Sequence, residues 1–187
     1  MVKHEHSGTR KRRLPKPLDE RRLEELALAY VARFATSAAK LEAYLARKLR
    51  ERGWAGEDAA DIGGLVARYA ERGYVDDAVY ARMRAGGLLR RGYGPRRISQ
   101  TLGAAGISDA VQEEVLPSEA EQRRAALAMA RKRRFGPFGL EAPDMAKREK
   151  QIAAMLRAGH ELTNVLPLIG ADSADAAENW VLEAEEE

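Results

Sequence analysis

Leu45-x-x-x-Leu49-x-x-x-Gly53-Trp54, Ile98-x-x-x-Leu102-x-x-x-Gly106-Ile107 and Ile152-x-x-x-Leu156-x-x-Gly159-His160 are three versions of one phrase. Each sets an apolar pair at i, i+4, on one helical face, and then a Gly suited to the left-handed conformation that ends a helix. Copies about fifty residues apart point to a helical array in which each unit buries its apolar face partly against its neighbours. Leu49, Leu102 and Leu156 are expected at equivalent buried positions. Such an array offers a long surface to a long partner rather than one deep pocket.

Working outward, Leu23, Leu26, Ala27, Tyr30, Val31 and Phe34 follow helical spacing before the first copy. Thr36-Ser37 opens the helix of the first copy, and Ile62, Leu65, Val66 and Tyr69 mark a third helix closed by Gly73. Asp76-Asp77 caps a longer helix through Val79, Tyr80, Met83 and Leu88, interrupted by Gly86-Gly87 and ended by Gly92-Tyr93-Gly94-Pro95. The paired glycines predict close helix packing, or else a hinge. Pro95 suits the first position of the next helix, and Ser108 starts a short one with Val111 and Val115. Ser118 and Glu121 form a capping box for a helix reaching Arg134. After a Gly/Pro-rich loop, helices are predicted over about 144–158 and 161–169, the latter with Leu162, Val165, Leu166 and Ile169 inward. Nothing alternates with period two. The reading is all-α: three tandem three-helix repeats in an elongated, curved array, with a weaker tenth helix around Trp180 and Val181. The divisions are a basic disordered tail over 1–18, repeats over 19–75, 76–116 and 117–170, and an acidic tail over 171–187.

Aromatic residues are only 6% of the chain against 45% hydrophobic residues overall, so the cores must be built from Leu, Ile, Val and Ala. Cysteine is absent, which excludes disulfides and thiolate metal sites. No run approaches the ~18 apolar residues of a membrane span, and Met1–His6 holds no apolar export stretch, so a cytoplasmic protein off the membrane is expected. The net charge of +3 hides a polarity: six cations against one acid in residues 1–18, and seven acids with no Lys or Arg in 171–187. A basic body with an acidic tail suits work near nucleic acid, where the tail competes with phosphates.

The catalytic inventory is thin. His4-x-His6 lacks a third ligand, and Gly87-x-x-x-x-Gly92 has Tyr93 where a phosphate loop needs Lys. Asp76-Asp77 reads as a helix cap rather than a cation site, and His160 as a packed cap residue. No enzyme, metal or cofactor is expected. Cations carry the signal. Arg82, Arg84, Arg90, Arg91, Arg96 and Arg97 surround Tyr93 without an intervening acid, and Arg123 and Arg124 precede a second run of Arg131, Lys132, Arg133 and Arg134. Arginines without nearby acids repel one another unless a partner supplies carboxylate or phosphate. The partner-binding face is therefore assigned to Arg82, Arg84, Arg90, Arg91, Tyr93, Arg96, Arg97, Arg131, Lys132, Arg133 and Arg134.

Arg72-Gly73-Tyr74-Val75-Asp76-Asp77-Ala78-Val79-Tyr80-Ala81 and Arg91-Gly92-Tyr93-Gly94-Pro95-Arg96-Arg97-Ile98, followed by Leu102 and Gly106-Ile107, resemble the bacterial RecX family. The resemblance covers residues 23–170. It implies a protein without catalysis of its own that binds along the RecA recombinase filament on single-stranded DNA and modulates it. The expected direction is inhibition of filament extension, ATP hydrolysis and strand exchange, within DNA repair, recombination and the SOS response. A monomer is expected, with single- or double-stranded DNA as a further candidate partner. The rival class is a DNA-binding protein acting through its basic three-helix modules. Three positions depart from the family pattern: Lys40 stands where Glu is common, Tyr80 where Phe is, and His160 follows Gly159 in place of Phe.

Overall fold

The computed structural model describes residues 16–184. Eight of its ten α-helices begin at a Ser or Asp whose side chain accepts the N–H three residues on, one of the donors a helix start leaves without a partner. Repeat one holds α1 (Glu20–Arg33), α2 (Ala38–Arg52) and α3 (Ile62–Glu71). Repeat two holds α4 (Asp77–Arg90), α5 (Pro95–Gly103) and the short α6 (Asp109–Glu113). Repeat three holds α7 (Glu119–Arg133), α8 (Met145–Arg157) and α9 (Leu162–Gly170), and α10 (Ala174–Glu183) follows it. The expected capping box at Ser118 and Glu121 is made in both directions. Among the described residues the only extended pairing is one parallel bridge between Leu18 and Trp54.

The uncapped start of α5 explains the repeated phrase. Gly94 has no side chain to cap with, and Pro95 brings no N–H of its own. The C-terminal turn of α8 does the capping instead: the Gly94 N–H donates to the Ala158 carbonyl at 3.0 Å and the Arg96 N–H to the Gly159 carbonyl at 3.2 Å. At its other end, α5 receives α2: the Ser37 hydroxyl, buried, donates to the Ala105 carbonyl at 2.6 Å. So α8, α5 and α2, the helices that carry the three phrases, meet end to end, carbonyl terminus to amide terminus, as their dipoles favour. The glycines mark the two joints. A Cβ on Gly159 would lie 2.4 Å from the Arg97 nitrogen, and one on Gly106 would lie 2.3 Å from the Ala39 Cβ. Gly53 ends α2 at φ +79°, and a Cβ there would meet nothing within 4 Å.

Three separate cores run along the array. The first gathers Leu18, Leu23, Leu41, Leu45, Leu65, Val66 and Tyr69, the second Tyr80, Leu88, Ile98, Leu102 and Ile107, and the third Met155, Val165, Leu168 and Ile169. Several inward faces differ from expectation. In the third copy Leu156 is 38% exposed while Met155 is fully buried. Its Gly lies one residue nearer, so Met155, four before Gly159 as Leu102 is before Gly106, is the true equivalent. Gln151 then takes the place of Ile98 and remains buried by accepting the Gly136 N–H at 2.9 Å. Leu49 is only partly buried. On α4 the packed face is Tyr80, Ala81, Ala85 and Leu88, leaving Val79 and Met83 half exposed, because small Ala side chains let helices approach closely. On α9 the buried set is Asn164, Val165, Leu168 and Ile169, with Leu162 and Leu166 outward. Gly86 and Gly87 serve neither close packing nor a break: α4 runs through them, and the nearest neighbour of a Cβ at either would be the Arg90 guanidinium.

Both expected tails are partly structured. Leu18, placed in the basic tail, is fully buried against repeat one, whereas His4, His6 and the rest of 1–15 lie outside the described residues. Within the acidic segment, α10 buries Ala177 and Val181 in the third core.

Candidate interaction surface

Of the arginines assigned from sequence, Arg90, Arg91, Arg96 and Arg97 flank the turn between α4 and α5, which is held on three sides. Gly92 backs onto α7, where a Cβ would come 3.0 Å from the Met129 nitrogen. Its carbonyl lies 2.9 Å from Nε2 of His160, and the Gly94 N–H is tied to the Ala158 carbonyl. Burial holds the His160 imidazole below its ordinary pKa, with the Gly92 carbonyl opposing the shift, so the neutral ring is retained and Nε2–H donates. His160 therefore packs as a cap, as expected, and also fastens repeat three to repeat two.

From this fixed turn Arg90, Arg91, Arg96 and Arg97 are all exposed. Arg91 donates from Nε to the Gly87 carbonyl at 3.0 Å, and its guanidinium lies 5.8 Å from the centre of the half-buried Tyr93 ring. Among the described residues, Arg82, Arg84, Arg90, Arg96 and Arg97 make no ion pair. Arg82 and Arg84 stand further back along α4, away from the turn. Arg90 and Arg124 line one open cleft of about 340 Å³ between α4 and α7, shared with Glu121.

The second basic run occupies the last turn of α7, where cations complement the helix dipole. Arg134 closes that helix at φ +55°, a left-handed conformation unusual for a side-chain-bearing residue. Arg131 is already engaged: it pairs with Glu178 of α10 and lies over the Phe138 ring at 5.8 Å. Arg123 donates to the Trp180 carbonyl at 2.8 Å with its guanidinium 4.6 Å from the indole centre. The acidic segment thus supplies one counter-charge, Glu178, and the Trp180 carbonyl to repeat three, and Lys132, Arg133 and Arg134 are left exposed.

Repeat one contributes surface that the basic runs did not flag. Phe34, expected to face inward, is 48% exposed, and Tyr30 stacks on Tyr44 at 4.2 Å between ring centres. In the same repeat, a separate cleft of about 510 Å³ is lined by Asp19, Glu20, Glu24, Glu57, Asp58 and Trp54. No group of three or more His, Cys, Asp or Glu able to hold a metal occurs among the described residues, and no described helix is long and apolar enough to cross a membrane.

Three linked three-helix units with exposed arginines at the α4–α5 turn define a helical-repeat protein. Comparison with known proteins gives the family. The RecX second three-helix domain matches residues 76–116. The regulatory protein RecX of Myxococcus xanthus is 32% identical over 154 residues, covering 78% of this chain and 82% of its own. That of Thermus thermophilus is 39% identical over 108 residues, covering 58% and 71%. The crystal structure of RecX from Lactobacillus salivarius superposes with a TM-score of 0.61 at 19% identity, covering 89% of this chain and 97% of that one, a likeness of fold. The chain belongs to the RecX family of regulatory proteins.

Proposed function

We propose that this protein binds the RecA recombinase filament on single-stranded DNA and restrains its extension, ATP hydrolysis and strand exchange, as a cytoplasmic monomer without cofactor or catalysis of its own. One observation carries the reading: Arg90, Arg91, Arg96 and Arg97 are exposed around a turn locked by two neighbouring elements, so their charges are presented at fixed spacing in the middle of the array. Tyr93, Arg82, Arg84 and the last turn of α7 extend this face. Several repeats engaging successive protomers add weak contacts as avidity. The test reverses the four arginines to Glu, which leaves every buried position untouched. The variant should keep its helical content and lose inhibition of RecA ATP hydrolysis on single-stranded DNA. Tight DNA binding by the wild type with no effect on RecA at any ratio would favour direct action on DNA and overturn the proposal.

A further inference from the structure

A groove of about 700 Å³ lies between α1 and α2 and shares no lining residue with the acidic cleft. Its walls combine two chemistries. Tyr30 and Tyr44 stack with planes 18° apart, and Phe34 extends the aromatic row at 5.3 Å from Tyr30. Arg33, Lys40 and Arg47 complete the lining, and no acid is among the lining residues. The cations sit with the rings: Arg33 is 5.5 Å from the Phe34 centre and Arg47 is 5.7 Å from that of Tyr44. Lys40 also lines a neighbouring open groove with Arg97, Gln100 and Thr101, which carries the surface onto α5 and towards the arginine turn.

We propose that this groove binds single-stranded DNA, with bases against the Phe34–Tyr30–Tyr44 row and phosphates along Arg33, Arg47 and Lys40. Half-exposed Phe34, backed by the partly buried Tyr30 and Tyr44 and flanked by cations, suits unpaired bases, since every base has a face to stack and every linkage carries one negative charge. A duplex hides its base faces and gains only the charges. The groove lies on a different repeat from the arginine turn, so it stands whether or not the turn engages RecA.

The test is fluorescence anisotropy of a labelled oligo(dT) with the full chain and no RecA present, at low and moderate salt. The wild type should bind with an affinity that falls as salt rises. Phe34→Ala removes a half-exposed ring and should weaken binding about tenfold, while duplex binding changes little. Arg33→Ala with Arg47→Ala should flatten the salt slope for the single strand by roughly 1.4, about 0.7 for each phosphate no longer neutralised. Photocrosslinking of bromouracil-substituted DNA should map to peptides containing Phe34 or Tyr44. Unchanged oligo(dT) affinity in Phe34→Ala, or crosslinks confined to Tyr93 peptides of repeat two, would overturn the proposal. Tyr30→Phe keeps the stacking face and should bind as the wild type does; loss there with intact helical content would also overturn it.

Discussion

The two joints of the array use the same geometry and different bonds. Between repeats two and three, backbone amides of α5 meet backbone carbonyls after α8, His160 fastens the turn from behind, and α4 packs along α7. Between repeats one and two the contacts come from helix ends and run through side chains. Ser37 bonds to Ala105, Asp77 accepts the Ala38 N–H at 2.9 Å, and the Lys40 ammonium donates to the Tyr80 hydroxyl at 2.8 Å. Backbone bonds that no substitution short of proline deletes tie repeats two and three together. Side-chain bonds leave repeat one attached by links that single mutations can remove.

The sharpest break of this contrast is Gly159→Ala. The new Cβ would press on the Arg97 backbone at positive φ, so a loss of about 3–5 kcal/mol is expected in chemical denaturation. Gly53→Ala, also at positive φ but facing open space, should cost less, about 1–3 kcal/mol from backbone strain alone. Equal losses would mean that the second joint is not close-packed. Met155→Ala should destabilise by about 3 kcal/mol and Leu156→Ala by under about 1 kcal/mol. The reverse order would restore the register read from sequence.

At the first joint, Ser37→Ala removes both the α2 cap and the bond to Ala105. A loss of about 1–2 kcal/mol is expected. Hydrogen exchange should then quicken at the α2 start while the α5 start keeps its protection; matched quickening at both would make the joints one cooperative unit.

The smallest effect is a pH dependence. His160 is held neutral in the fold, and its imidazole pKa lies below the ordinary 6.5. The unfolded chain therefore binds more protons, and the stability due to this group is complete above about pH 6.5 and falls as pH drops through the lower folded value. His160→Asn should remove that part of the acid slope; wild type and variant with parallel pH profiles would show that the ring titrates freely.

The helices are legible because their caps and apolar spacing are local signals: Ser118 with Glu121, Asp76, and Pro95 announce their roles without tertiary help. The third copy misleads because Leu156 looks more like a core residue than Met155 or Gln151, and only the distance to Gly159 betrays the register. Phe34 reads as core since helical period cannot tell a buried face from the wall of a groove. The arginine turn can be found because missing acids are visible in sequence. Its anchoring by His160 to a residue 68 positions away cannot, since no local pattern encodes it.

The end-to-end meeting of α8, α5 and α2 also sets how strain travels. A partner touched by all three repeats imposes its own spacing, and any mismatch with the spacing of the array accumulates along the row of helices. The second joint transmits that mismatch stiffly. The first, bridged by three side-chain bonds, is the more compliant, so under such a mismatch repeat one is the vernier expected to shift before the other two.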